Sequence, residues 1–224
     1  MNKQELDLLN IIKKEAYVNQ RQLSEASGYS LGKVNTSLAE LVKAGYLNAD
    51  YRLTEQAKEL FTENRPNQAV ILAAGAGMRM IPINTEVSKG MVEVRGETLV
   101  ERLIKQLKEK GIHKITIVVG FMKEQYEYLI DEYGVELVYN KEYAVKNNLF
   151  SLAKVKDRLE NAYIVPCDLW CRTNPFSETE LYSWYMIDEM PDEDSTIRMN
   201  RKMELKAVGD SEAGNHMVRN CLHQ

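Results

Sequence analysis

Cysteine is scarce in this chain of 224 residues: Cys167, Cys171 and Cys221 are all it has, too few for a disulfide scaffold. Cys167-x-x-x-Cys171 lacks a second pair, and the three histidines lie far off in sequence, which argues against a zinc site. No apolar run approaches the roughly 20 residues that span a bilayer, so no membrane association is expected. Met1-Asn-Lys-Gln-Glu5 opens no apolar signal region. An excess of positive charge is missing too: the net charge is −4, which excludes a wholesale nucleic-acid coat. Reduced thiols without a targeting segment point to the cytoplasm. What remains is 44% hydrophobic and 28% charged, with length for one mid-sized domain and a small one.

The polar, proline-containing stretch Asn64-Arg-Pro-Asn-Gln68 divides the chain into residues 1–65 and 66–224. Before it, short helical stripes alternate with caps: Leu6, Leu9 and Ile12, then a helix closed by Gly28. A third helix opens at Ser30 and carries Val34, Leu38, Leu41 and Val42 on one face. Gly45 to Leu53 alternates like a small wing, and Thr54 caps a last helix. This part resembles the winged helix-turn-helix fold, whose third helix normally enters the DNA major groove. Yet residues 1–65 carry as many Asp and Glu as Lys and Arg, and Glu40 opposes Lys33 and Lys43 on the third helix. Such a thin footprint favours a regulatory or docking role over DNA binding, with a transcriptional role as the alternative.

After the divide, strands and helices alternate in the manner of a parallel sheet. Val70–Ala73, Ile115–Gly120, Val135–Tyr139 and Tyr163–Cys167 read as strands. Leu99–Lys110, Lys123–Tyr133 and Phe150–Leu159 read as helices, and Leu181–Ile187 as a further strand. Ligands in such sheets bind at the carboxyl ends of the strands, where the residues after Ala73 and Asp168 both fall.

The chemistry is concentrated in Leu72-Ala73-Ala74-Gly75-Ala76-Gly77-Met78-Arg79, followed by Lys89. Small residues let backbone N–H groups approach a phosphate, and Gly75 and Gly77 tolerate positive φ. Arg79 and Lys89 would neutralise a polyphosphate, one as a fork and one as a point charge. With Val94-x-Gly96-x-x-Leu99-Val100-Glu101-Arg102, the pattern resembles the signature of nucleotidyltransferases that couple an NTP to a sugar phosphate or alcohol phosphate. Met78 stands where that family prefers Thr, and Ser88 stands where it prefers Pro before the lysine.

The resemblance implies an α/β, Rossmann-like, mostly parallel nucleotidyltransferase domain behind the winged helix. It implies Arg79, Lys89 and Asp168 as catalytic groups, Mg²⁺ as cofactor and Asp168 as its ligand. Asn147-Asn148-x-x-Ser151-Leu152 looks like a stretch of bacterial CTP:phosphocholine cytidylyltransferases, and Asn amides suit a pyrimidine edge. CTP and phosphocholine are therefore the expected substrates, with a choline-kinase-type partner to supply the latter. A sugar-1-phosphate nucleotidyltransferase and a nucleotide-sensing transcription regulator are the alternatives. For a quaternary ammonium, Trp170 is the aromatic candidate among Tyr182, Trp184 and Tyr185, and Asp192 to Asp194 offer charge.

The family's second acid, on a later strand, has no recognisable match before Gln224. Gly214 to Gln224 reads as polar and patternless, so the catalytic part is expected to be shortened at its C-terminus. Exposed sheet surface would then favour a homodimer.

Overall fold

The computed structural model describes residues 1–15, 17, 19–76, 86–188, 197–200, 205–208 and 217–223. The chain forms two compact units: Met1–Arg65 together with Ser177–Tyr182, and Pro66–Phe176 together with Ser183–Gln224. The first boundary lies at the proline joint. The second was not legible: Ser177–Tyr182, read from sequence as part of the nucleotidyltransferase half, folds with the first unit.

In the first unit, α1 (Lys3–Lys14), α2 (Gln20–Ser27), α3 (Leu31–Lys43) and α4 (Glu55–Glu63) follow their cap signals. Asn2 and Glu5 form a reciprocal capping box, Asn19 and Thr54 cap by side chain, and Gly28 closes α2 at φ 69°. Ser30 occupies the cap position of α3 but makes no side-chain cap bond. Leu47 and Leu53 bridge to make the wing. Leu8, Leu9, Ile12, Leu23, Val34, Leu38, Leu41 and Phe61 form the core, the apolar stripes of the helices turned inward. The strap 177–182 adds Leu181 to that core and ties itself to α1. Tyr182 donates to Asp7 Oδ1 at 2.6 Å, and Lys13 Nζ donates to Thr179 at 3.0 Å.

The second unit is built on β1 (Gln68–Ala73), β4 (Lys114–Val119), β5 (Glu136–Tyr139) and β6 (Ala162–Pro166). Between β1 and β4 come a small hairpin, β2 (Glu93–Val94) with β3 (Glu97–Thr98), and helix α5 (Leu99–Glu109). Arg95 and Gly96 at the hairpin tip both have positive φ, the signature of a tight primed turn. Helices α6 (Tyr128–Tyr133) and α7 (Asn148–Ala153) make the later crossovers. The sheet order is β5-β4-β1-β6, then β10 (Met217–His223) and β7 (Tyr185–Asp188). The first four strands pair in parallel, and β10 runs antiparallel to β6 and β7. A separate antiparallel pair joins β8 (Ile197–Met199) to β9 (Leu205–Val208).

The central strands are buried on both faces, as their near-continuous apolar sequence requires. Ala69, Ile71 and Ala73 pack with Val100, Leu103, Ile104 and Leu107 of α5. Val70 and Ala74 pack on the other side with Val118 and Val155. Two expectations need correction. The stretch read as patternless holds β10, because a strand flanked on both sides takes its order from its neighbours rather than from its own alternation. The strand expected over Leu181–Ile187 begins only at Tyr185, since Leu181 and Tyr182 are used by the strap. Among the described residues no helix is long and apolar enough to cross a membrane.

Candidate nucleotide site

The parallel register brings four strand ends to one rim. Ala73 of β1 pairs with Val119 of β4, Val119 with Tyr139 of β5, and Leu72 with Pro166 of β6. Ala74, Gly75 and Ala76 leave from the central strand, so Gly120 lies on one side of them and Cys167-Asp168 on the other. The Cys167 N–H still donates to the Leu72 carbonyl at 3.1 Å, and the Phe121 N–H donates to the Ala74 carbonyl at 3.1 Å. The start of the glycine loop is thus held from both neighbours. Gly75 is exposed and Ala73 and Ala74 are buried, so the backbone becomes open to a ligand at the first glycine. Gly77, Met78 and Arg79 lie outside the described residues.

Lys89 sits on a single 3₁₀ turn, Lys89–Met91, and its ammonium pairs with Oδ2 of Asp168. The two side chains are 33% and 34% exposed, open enough to meet a ligand. Gly90 makes the approach possible: a β-carbon there would stand 2.8 Å from the Tyr126 hydroxyl and 3.1 Å from Cβ of Cys167. Burial pushes the Cys167 thiol up to about 12, reinforced by the Asp168 charge and opposed by Lys89. It is a packing group and no nucleophile. Burial, aided by Cys167, likewise pushes the Tyr126 phenol well above its usual value.

The asparagine segment divides in its roles. Asn147 and Asn148 are exposed at the start of α7, and Asn147 also caps that helix, its Oδ1 accepting from Phe150 N–H at 3.4 Å. Ser151 is turned inward and accepts from the amide of buried Asn140 at 3.0 Å. It anchors the segment to Asn140, the residue that follows β5.

The aromatic candidates have other occupations. The Trp170 ring has the Arg102 guanidinium at 5.0 Å and Arg95 at 5.5 Å from its centre, so two cations already engage it. Trp184 packs edge-on to Tyr163 in the core, and Tyr182 belongs to the strap. Asp192 to Asp194 lie outside the described residues. Sequence reading missed Gly120, Gln125 and Tyr126, which follow β4 at the same rim. The rule that ligands gather after parallel strands was their one available signal.

Known proteins share this fold. The MobA-like NTP transferase domain matches residues 69–181, and a winged helix-turn-helix DNA-binding domain matches residues 1–48. The choline-phosphate cytidylyltransferase of Streptococcus pneumoniae is 44% identical over 118 residues, 53% of this chain and 52% of that protein. Its counterpart in Haemophilus influenzae is 32% identical over 117 residues, 52% of this chain and 50% of that protein. A solved structure of the CTP:phosphocholine cytidylyltransferase from Streptococcus pneumoniae superimposes with a TM-score of 0.64 at 34% identity, covering 70% of this chain and 69% of that one. The chain spans about half the length of the curated relatives it matches.

Proposed function

Because this chain belongs to the MobA-like NTP transferase family, we propose that it transfers the cytidylyl group of CTP to phosphocholine or a similar alcohol phosphate. The observation that carries the reading is the Lys89–Asp168 pair, set one strand away from the Gly75 loop. A phosphate oxygen of the acceptor attacks the α-phosphorus in line. The new O–P bond forms as the bond to the β-phosphate oxygen breaks, and pyrophosphate leaves. No protein nucleophile is needed, so the work lies in positioning and neutralising charge.

The backbone around Gly75 would cradle phosphates, and Arg79 would hold the leaving β,γ-phosphates. Lys89 would exchange its carboxylate partner for the α-phosphate and the acceptor. Asp168, so released, would hold Mg²⁺. The fit is supported by the donor type: one open carboxylate beside a phosphate cradle suits Mg²⁺, which takes one or two carboxylates plus phosphate oxygens. Among the described residues no group of three or more His, Cys, Asp or Glu could hold a metal alone. When bound, Mg²⁺ supplies neutralisation of charge on the phosphates. Exposed Asn147 and Asn148 would read the cytosine edge. The unpaired thiols of Cys167 and Cys171 suit the reducing cytoplasm.

The test is pyrophosphate release from CTP and phosphocholine with Mg²⁺, against UTP with glucose 1-phosphate and against chelator. Release with CTP and phosphocholine alone supports the reading, and release only with UTP and the sugar phosphate replaces it. The match of residues 1–48 to a DNA-binding winged helix favours a second reading, a nucleotide-responsive regulator. CTP-dependent retardation of DNA without turnover would select it.

A further inference from the structure

We propose that Ser88, Gln125 and Tyr126 are positioning residues that hold the Lys89 turn in a proline-like shape and so aim its ammonium at Asp168. Ser88 has φ −66° and ψ 155°; the φ is the one a proline ring would impose, yet nothing covalent restrains it. Hydrogen bonds restrain it instead. The Gln125 side chain accepts from the Ser88 N–H at 2.8 Å and donates to the Glu86 carbonyl at 2.8 Å, clipping both ends of the approach to Lys89. The Ser88 hydroxyl donates to the Tyr126 hydroxyl at 2.9 Å, and both residues are buried. The same phenol oxygen lies against Gly90. Residues 86, 88 and 90 are therefore gripped by two adjacent side chains, and Lys89 between them has little freedom.

The gripping residues come from one 3₁₀ turn, Lys123–Tyr126. Met122 starts it at φ 51°, a costly conformation for a long side chain, which the neighbouring contacts must hold in place. One residue earlier, Phe121 donates to the Ala74 carbonyl. The segment after β4 therefore fixes the glycine loop with its backbone and the lysine turn with its side chains. Removing one partner would leave Ser88 groups unsatisfied in a largely closed space, and the turn would relax. What Lys89 then does for a ligand rests on the nucleotidyl-transfer reading, but its placement does not.

The experiment measures acetylation of Lys89 by acetic anhydride, relative to exposed Lys141 in the same chain. An amine held in an ion pair, with its nitrogen turned onto a carboxylate, is less accessible to the reagent and reacts slowly. We expect Lys89 to label severalfold more slowly than Lys141, and Asp168→Asn to abolish the difference. Gln125→Ala and Tyr126→Phe should each raise Lys89 labelling at least threefold toward that limit. Gln125 is only half-buried, so its variant keeps the test alive if Tyr126→Phe folds poorly. Adding Ser88→Pro to Gln125→Ala should restore slow labelling, because the ring holds φ and has no N–H to satisfy. A purely structural role would lower the melting temperature, leave the labelling ratio of the folded chain unchanged and give no rescue by proline. That result overturns the proposal. Protection of Lys89 by CTP and Mg²⁺ in the unaltered chain is a separate arm: its failure with the ratios intact counts against the nucleotide reading alone.

Discussion

Gly120 stands so close to Ala74 that a β-carbon on it would lie 2.6 Å from the Ala74 carbonyl oxygen. The same carbon would lie 2.7 Å from Cβ of Tyr143, so neither side can yield cheaply. The glycine at the end of β4 thereby decides where the central strand opens into its loop. Gly120→Ala should destabilise the second unit by about 1–3 kcal/mol, as overpacking does, and weaken nucleotide binding. Urea unfolding and CTP titration measure the two effects. An unchanged midpoint and affinity would show that the contact relaxes freely.

Lys89 and Asp168 should matter far more to turnover than to folding. Ion pairs exposed to this degree contribute about 0–1 kcal/mol. Lys89→Ala should therefore leave the melting temperature nearly unchanged while slowing transfer about a hundredfold, the usual cost of losing one charge-stabilising group. The comparison of melting curve with pyrophosphate release decides it. Near-normal turnover would remove Lys89 from the reaction.

Nucleotide choice is open to a thermal-shift panel with Mg²⁺. CTP at about a hundredfold its Kd should add about 2.7 kcal/mol, more than ATP or GTP at equal concentration. Asn148→Ala should narrow the gap, whereas Ser151→Ala should act on stability through buried Asn140. Equal shifts from all four nucleotides would dismiss pyrimidine recognition by this segment.

Asp7 gives the strap 177–182 a pH window. Burial pushes its carboxyl up, but hydrogen bonds from Lys3, Tyr182 and Tyr29 together outweigh burial and hold it below its ordinary value. A depressed carboxyl contributes stability above its unfolded pKa of about 3.9, and that contribution is lost as pH falls through the folded value. Burial and the Asp7 charge push the Tyr182 phenol the other way, so its contribution is present below about 10 and fades at higher pH. A chain cut at an engineered protease site near Pro66 should therefore keep residues 1–65 bound at neutral pH, because the strap is docked within that unit. The fragment should separate in acid, or at neutral pH in Asp7→Asn. Size-exclusion chromatography of the cut chain reads the outcome, and separation at neutral pH without mutation would dismiss the strap as an anchor.

The glycine loop after β1, Lys89 and Asp168 could be picked out as candidates in sequence because each is marked by local chemistry: small residues after an apolar strand, a cation and a carboxylate at a strand end. The helices of the first unit were legible for the same reason, since the caps at Gly28 and Thr54 act within a few residues of themselves, whereas Asn2 and Asn19 were recognised as caps only in the structure and Ser30 makes no side-chain cap bond. Sequence alone therefore determined the alternation of elements, the parallel character of the central strands and the rim that the residues after Ala73 share with Asp168. Tertiary structure decided the pairing of Lys89 with Asp168, the grip of Gln125 and Tyr126 on Ser88, the inward turn of Ser151, the capture of Trp170 by two arginines and the entry of Met217–His223 into the sheet. Each of these joins residues whose partners are set by strand register and crossover path, and no local periodicity encodes a partner dozens of residues away. The strap is the plainest case: Leu181 and Tyr182 look like the start of a strand until Asp7, 175 positions from Tyr182, accepts a hydrogen bond.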